Sequence, residues 1–182
     1  ETSAKSVVIR GRAGMFSAGF DLKEFEKGRE AMDALVKRGT EFLLRIFMHP
    51  QPVIAECTGH AIAAGAFILL AADTRLGAAG EFKIGLNETA IGLALPTFGF
   101  ELAKNRLSKR HIQAAVIQSQ LYDPSTAEEV GYLDSVYEPG DLHTAALDLA
   151  TSLGKLPVEA YAKNKQGLRQ DTARIIRASI ES

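Results

Sequence analysis

Apolar residues fall into two kinds of stretch along the chain, and the first kind is short. Several brief runs are rich in Val, Ile and Leu and are bounded by Gly, Pro or Asp, which predicts buried strands. These runs are residues 6–10, 53–57, 75–78, 82–84 and 133–137. Because most of them lead into a turn or a helix rather than a tight hairpin, the pattern predicts an α/β fold.

The second kind of stretch is longer and repeats apolar side chains at helical spacing. Residues 31–48 are the clearest example and end at His49-Pro50-Gln51-Pro52, where the prolines stop a helix. Ser125 and Glu128 have the spacing of a capping box, which predicts a helix start at Ser125. Further helices are predicted at residues 65–72, 96–107, 109–119, 141–153, 158–170 and 172–180.

Composition narrows the class of protein. The 182 residues are 46% hydrophobic and 24% charged, which is ordinary for one globular unit with a core of useful size. The formal net charge of −1 provides no basic field, so we expect no nucleic-acid partner. The longest apolar run, residues 61–72, is too short to cross a bilayer, so we expect no membrane partner.

Cysteine and histidine usage adds two expectations. The single cysteine, Cys57, cannot form an internal disulfide, which favours a reducing, cytoplasmic location. The four histidines have no metal-ligand spacing, so we predict no metal site. The chain begins at Glu1, without Met and directly before a strand, so we expect that the natural protein has an earlier segment. Organellar targeting therefore stays open.

Two glycine-containing turns carry the most information about function. Each follows a predicted strand and precedes a predicted helix: residues 16–24 read Phe-Ser-Ala-Gly-Phe-Asp-Leu-Lys-Glu, and residues 59–66 read Gly-His-Ala-Ile-Ala-Ala-Gly-Ala. The first N–H groups of a helix have no intrahelical partner, so each such turn can present backbone donors. If the two turns met, they would form an oxyanion hole made of main-chain groups.

These turns and two later segments resemble the crotonase superfamily, also called the enoyl-CoA hydratase/isomerase family. Residues 16–23 resemble its first oxyanion motif and residues 52–67 its second. Residues 85–93 resemble the loop that carries the catalytic Glu, and residues 127–136 resemble the stretch that closes the core. The match covers nearly the whole chain in the family's order and spacing.

The resemblance implies a fold and an assembly. We expect a crotonase-like spiral of ββα units over residues 1–139, with the N-terminal part of the spiral missing. A C-terminal helical region over residues 140–182 is expected to assemble the protein as a homotrimer or hexamer. The resemblance implies an acyl-CoA thioester as partner and no cofactor, because coenzyme A is part of the substrate.

The resemblance also implies the catalytic groups. The backbone N–H groups of Phe20 and Ala64 would hold the thioester oxygen, and Glu88 would transfer protons. Glu88 stands among apolar neighbours, which predicts a raised carboxyl pKa. Asp21 and Asp73 are interpreted as caps or turn-holders rather than catalysts. Expected substrate-binding residues are Ala18, Asp21, Leu22, Lys23, Gly65, Phe67 and Lys165, with the two lysines near the phosphates of CoA and Lys165 reaching an adjoining subunit's CoA.

One position departs from the pattern of the family's hydratases. Those enzymes typically have a second glutamate three residues after the second donor, where this chain has Phe67. A single carboxylate suits proton shuttling better than water addition, so we favour enoyl-CoA double-bond isomerisation. Enoyl-CoA hydration remains an alternative, as does a non-catalytic acyl-CoA-binding or assembly protein.

Overall fold

Two parallel sheets form the centre of the protein. The computed structural model describes residues 4–181, apart from the side chains of Leu22 and Glu181. The larger sheet has the strand order β1-β3-β5-β7 and the smaller one β2-β4-β6. The strands are β1 (Val7–Arg10), β2 (Gly14–Ser17), β3 (Val53–Cys57), β4 (Gly59–Ile62), β5 (Thr74–Ala78), β6 (Ile84–Gly85) and β7 (Ser135–Tyr137).

The chain alternates between the sheets. Each of its first three passes adds one strand to the larger sheet and the next strand to the smaller one, before helical segments return the chain. All strand pairs are parallel, as crossover connections require. This repeat confirms the predicted α/β spiral of ββα units.

Helices cover both sheets. They are α1 (Leu22–Phe25), α2 (Arg29–Phe47), α3 (Ala64–Ala71), α4 (Thr97–Arg106), α5 (Ile112–Val116), α6 (Pro124–Val130), α7 (Leu142–Leu153) and α8 (Val158–Glu181), with a 3₁₀ turn at Thr89–Ile91. α7 packs on the larger sheet, whereas α8 packs on α2 and α4. Helix α8 thus packs on helices from before residue 139, and the predicted boundary at that residue stays a prediction.

Alternation along β3 explains this layering. Val53, Ala55 and Cys57 belong to the main core, whereas Ile54 packs in a second cluster with Leu142 of α7. Because side chains of a strand point to opposite faces in turn, one five-residue strand serves both layers.

Three predicted elements differ in the structure. The predicted turn at residues 59–62 is strand β4, because its residues pair with β2 and β6 on either side. The predicted break near residue 171 is absent: α8 runs without interruption from Val158 to Glu181. The predicted helix at residues 109–119 is shortened to α5, and Ser119 just beyond it adopts a positive φ of 53°.

The cap of α6 also lies elsewhere than predicted. Asp123, not Ser125, is the N-cap, and its carboxylate accepts a hydrogen bond from the Thr126 backbone N–H at 3.0 Å. Pro124 occupies the first turn, where its fixed φ suits the helix and its missing N–H costs nothing. The Asp-Pro pair therefore starts the helix before Ser125 is reached.

Candidate active site

A cavity of about 370 Å³ lies beyond the carboxyl ends of the smaller sheet. Strands β2, β4 and β6 are neighbours and parallel, with Ser17 beside Ala61 and Ile62 beside Gly85. The segments that follow these strands therefore emerge at the same edge, which is where open α/β sheets bind ligands. Those segments carry both glycine turns and Glu88.

Five of the predicted site residues line this cavity: Ala18, Phe20, Ala64, Phe67 and Glu88. The other lining residues are mainly apolar: Phe25, Met32, Val36, Ala63, Asn87, Ile91, Leu93, Ala94, Pro96 and Phe98. These five residues, which the sequence predicted, form one part of the cavity wall. The rest of the lining comes from α1, α2, the 3₁₀ turn with the segments on either side of it, and α4.

The two glycine turns touch each other. A Cβ placed on Gly19 would lie 3.1 Å from the Cβ of Ala63 and 3.4 Å from the backbone nitrogen of Ala64. A Cβ on Gly65 would collide with the carbonyl oxygen of Ser17 and lie 2.8 Å from its carbonyl carbon. Glycine at these positions allows the two main chains to approach more closely than side chains would permit.

Ala63 has an unusual backbone that opens helix α3. Its φ of 53° and ψ of −122° are values that favour glycine, which makes the position strained for alanine. The residue is held by its N–H, which donates to the Gly85 carbonyl at 3.1 Å, and by its carbonyl, which accepts from the Phe67 N–H at 3.2 Å. Ala64 follows as the first helical residue, where the N–H group has no intrahelical acceptor.

Helix α2 completes the wall around Phe20. A Cβ on Gly39 would lie 2.7 Å from Cε1 of the Phe20 ring, so the glycine makes room for that ring. Phe20 also meets Phe25 edge to face, with ring centroids 6.5 Å apart. Because the Phe20 side chain packs on Gly39 of α2 and on Phe25 of α1, its backbone is held beside the cavity.

Glu88 is the one titratable side chain among the described residues that line the cavity. It is 8% exposed, and its Oε2 atom has no hydrogen-bond partner within the described part of the chain. Burial raises the pKa of its carboxyl group, while the backbone groups of Glu88 and Asn87 act in the opposite direction. The predicted direction is confirmed, and a raised pKa suits a carboxylate that accepts and returns a proton.

Comparison with known proteins identifies the family. The sequence model described as enoyl-CoA hydratase/isomerase matches residues 1–181. The chain belongs to the enoyl-CoA hydratase/isomerase family. The fold agrees, because an enoyl-CoA hydratase/isomerase family protein of Pseudomonas syringae superposes with a TM-score of 0.93 at 41% identity, covering 96% of this chain and 76% of that one.

Curated relatives carry both reaction names of the family. Mouse enoyl-CoA delta isomerase 1, a mitochondrial protein, is 27% identical over 176 residues, which is 95% of this chain and 61% of the relative. A probable enoyl-CoA hydratase of Bacillus subtilis is 37% identical over 100 residues, or 54% of this chain and 38% of the relative. The chain thus spans about three-fifths or less of the length of these relatives.

Phe67, at the position where the resemblance led us to expect a glutamate in hydratases, lies in the cavity wall. It is 2% exposed and meets Phe98 edge to face, with ring centroids 5.1 Å apart and planes at 82°. Gly99 leaves space for the ring, since a Cβ there would approach it to 2.9 Å. The phenyl group is therefore a tightly packed wall of the cavity with no proton to exchange.

Asp21 and Lys23, two predicted binding residues that follow Phe20, do not belong to the described lining of the cavity. The Asp21 carboxylate caps α1 by accepting from the Lys23 N–H at 3.0 Å, which confirms its interpretation as a cap. Lys23 is exposed. The side chain of Leu22 lies outside the described part of the chain. Their contacts with CoA stay predictions.

Lys165 is placed away from the cavity, in a cluster of buried charges. Its ammonium group donates to the His49 carbonyl at 2.6 Å, to the Gln51 carbonyl at 3.0 Å and to Asp73 Oδ2 at 2.6 Å. An ammonium has three donors, so this arrangement uses them all. Within this chain Lys165 supports the fold, and its expected contact with an adjoining subunit's CoA stays a prediction.

Asp73, His60 and Cys57 also have partners within the fold. Asp73 accepts from the Val53 N–H at 2.7 Å, which confirms its role as a turn-holder. His60 accepts from the Lys83 N–H at 2.9 Å and packs on Phe82. The buried thiol of Cys57 donates to the Gly59 carbonyl, and burial raises its pKa to about 12.

Sequence reasoning missed most of the apolar wall and Asn87. Met32 and Val36 lie one helical turn apart on α2, and this spacing could have indicated a shared face. Ile91 and Leu93 are large apolar side chains that remain 51% and 39% exposed beside the cavity. Among residues 4–181, no cluster of His, Cys, Asp or Glu could hold a metal ion, and no helix is long and apolar enough to cross a membrane.

Proposed function

We propose that this protein isomerises enoyl-CoA thioesters, with Glu88 as the single acid–base group. The observation that carries the proposal is the isolation of Glu88: the remaining described residues that line the cavity are not titratable. A lone carboxylate with a raised pKa can take a proton and return it, but it has no second acid to assist water addition.

The backbone N–H groups of Phe20 and Ala64 are proposed as the donors to the thioester oxygen. The contact between the two turns and the small side chains of Ala63 and Ala64 favour this role, since they let a carbonyl group reach the main chain. Each donor of this kind is worth about 2.7–4 kcal/mol of barrier in comparable sites.

The reaction then has two balanced proton transfers. The Glu88 carboxylate takes a proton from C2 of a 3-enoyl thioester, and the electron pair of the broken C–H bond forms an enolate whose oxygen charge the two N–H groups stabilise. When the carbonyl re-forms, C2 and C3 become double-bonded, and the pair of the former C3–C4 double bond takes the proton back from Glu88 at C4. Water is neither consumed nor released.

Hydration is the second candidate, because the Bacillus subtilis relative is named a probable hydratase. In this chain it would have to proceed through Glu88 and water alone. The Phe67→Glu variant tests whether a second carboxylate in the cavity allows hydration. Phe67→Gln is a neutral control of similar size. A rise in hydration for Glu but not for Gln would support the view that Phe67 withholds this activity.

The deciding experiment measures wild type and Glu88→Gln with a 3-enoyl-CoA and a 2-enoyl-CoA. We expect isomerisation to exceed hydration in the wild type, and kcat to fall about 10²–10⁴-fold in the variant. Glu81→Gln removes an exposed carboxylate and serves as the matched control. Faster hydration than isomerisation would favour the hydratase, and CoA binding without turnover would favour a binding protein.

We also propose assembly as a homotrimer or hexamer through residues 140–182. This region exposes large apolar side chains, among them Leu168, which is 83% exposed, and Ile175, which is 46% exposed. Light scattering of the purified protein tests the proposal, and a monomer at working concentrations would contradict it.

A further inference from the structure

Four buried polar side-chain atoms have no hydrogen-bond partner among the described residues. They are Asn87 Oδ1, Glu88 Oε2 and the hydroxyl oxygens of Tyr122 and Tyr132. Leaving one such group unsatisfied costs about 1–3 kcal/mol, so native proteins keep few of them. Their distribution is informative, because they are not scattered over the molecule.

All four belong to groups around the short segment from Ile84 to Glu88. Asn87 and Glu88 face the cavity from this segment. Tyr122 pairs with Ile84 in an antiparallel bridge, exchanging backbone hydrogen bonds of 2.9 Å in both directions. Tyr132 stands beside Tyr122, with ring centroids 6.1 Å apart, and the Leu86 backbone acts to lower the pKa of its phenol, which places the hydroxyl near this segment.

The two tyrosines therefore stand behind the segment, and not among the residues that line the cavity. Tyr132 is fully buried and Tyr122 is 4% exposed. Burial raises the pKa of both phenols, so they keep their protons at neutral pH and can donate. The charge of Glu88 also raises the pKa of Tyr132, so the two groups are within electrostatic reach of each other.

The four unpartnered atoms include both hydrogen-bond donors and hydrogen-bond acceptors. Each hydroxyl can donate one hydrogen bond, whereas an amide oxygen and a carboxylate oxygen can only accept. A water molecule donates two and accepts two, and buried water typically satisfies polar groups of this sort. Water between the tyrosines and the Asn87–Glu88 pair would satisfy donors and acceptors together.

We propose that Tyr132, with Tyr122 beside it, is a positioning residue that holds Oε2 of Glu88 through buried water. The opposite carboxylate oxygen is then left facing the cavity, where it exchanges the proton. The catalytic part of this inference rests on the proposed function, but the hydrogen-bonded link to Glu88 does not depend on any turnover.

A hydrogen-bonded link between Tyr132 and Glu88 should change the pKa of Glu88. A hydrogen bond to the ionised form of a carboxyl group lowers its pKa, so the tyrosines would offset part of the rise caused by burial. In Tyr132→Phe we expect the pKa of Glu88 to rise by about one unit. The acid limb of the kcat profile should move upward by the same amount, with KM little changed and kcat approaching wild type at high pH.

The experiment titrates Glu88 by ¹³C NMR of carboxyl-labelled glutamate, with its signal assigned from Glu88→Gln. Tyr132→Phe is compared with Tyr137→Phe, which removes a hydroxyl on β7 in the separate cluster beneath α7. A higher Glu88 pKa in Tyr132→Phe alone supports the proposal. An unchanged pKa in a folded Tyr132→Phe, or equal shifts in both variants, overturns it.

The link between Tyr132 and Glu88 can be tested even if the protein is inactive or the variant does not fold. The titration needs no substrate, so an inactive wild type would contradict the proposed function and still leave the link to Glu88 testable. If Tyr132→Phe does not fold, a high-resolution crystal structure of the wild type replaces it. Water bridging the Tyr132 hydroxyl and Glu88 Oε2 supports the proposal, and a Glu88 carboxylate without that bridge overturns it.

Discussion

Asp73 and Glu88 are carboxylates with little solvent exposure, and the molecule treats their charges in opposite ways. Asp73, whose side chain is 7% exposed, forms ion pairs of 2.6 Å with Lys165 and 2.9 Å with Arg169. Glu88 is equally buried but faces an apolar cavity, and within the described chain its Oε2 has no hydrogen-bond partner. One carboxylate is surrounded by cations, whereas the other is kept apart from them.

The two carboxylates therefore suit different roles: Asp73 stabilises the fold, whereas Glu88 is suited to accept a proton. A paired carboxylate has a fixed charge and holds other groups in place, as Asp73 does for the start of β3 and for α8. An unpaired carboxylate in an apolar setting is destabilised when ionised, which makes it a better proton acceptor. Burial alone would not have distinguished the two sites, but their partners do.

The largest effect on stability should come from breaking the paired site. Asp73→Asn leaves Lys165 and Arg169 buried without their anion, which should lower the free energy of unfolding by about 3–5 kcal/mol. Chemical denaturation measures the loss. The control is Asp171→Asn, which breaks an exposed ion pair with Arg174 on α8, the helix that carries Lys165 and Arg169. It should change stability by less than about 1 kcal/mol.

The pH dependence of this variant sharpens the test. Burial already lowers the pKa of Lys165, and losing Asp73 removes a group that raises it. The unfolded variant then binds more protons than the folded one at alkaline pH, so its stability should increase as the pH rises. A deficit that does not shrink with rising pH would argue against uncompensated positive charge as the cause.

A second prediction concerns the contact between the two turns. Alanine normally favours a helix over glycine, but Gly65→Ala would press a Cβ against the Ser17 main chain and separate the turns. If an oxyanion donor is displaced, kcat should fall about 10²–10³-fold. Gly140→Ala, where a Cβ meets open space, should keep wild-type activity. Unchanged kcat in Gly65→Ala would remove the support that this contact gives to the proposed donors.

The two glycine turns were visible as local patterns in the sequence, whereas the role of Glu88 came from the resemblance to the family. Gly19 and Gly65 mark close approaches of main chain, and the apolar neighbours of Glu88 indicated the environment that raises its pKa. Each of these signals depends on a few consecutive residues, so no knowledge of distant contacts was needed.

The features that the sequence did not reveal depend on distant contacts. β4 contains Gly and Ala with little strand propensity, and it is a strand because β2 and β6 flank it. The buried acceptors of Lys165 come from residues more than 90 positions away in the chain, which no local pattern around it indicates. Nothing around Tyr132 in the sequence indicates that its hydroxyl is buried behind Glu88.

The smallest predicted effect has the opposite sign to that of Asp73→Asn. Glu88→Gln keeps the shape of the side chain but removes a charge that burial disfavours, so at neutral pH it should stabilise the protein by about 1 kcal/mol. A carboxyl group whose pKa is raised on folding contributes stability below its unfolded pKa and loses it as the pH rises through the folded pKa. The advantage of the variant should therefore be absent near pH 4 and grow toward pH 8, as measured by denaturation at both ends.

Glu81→Gln should show no such trend, because that side chain is exposed. If Glu88→Gln were instead less stable than wild type at pH 8, the carboxylate would have to be held by strong favourable contacts, and the contrast with Asp73 would not hold.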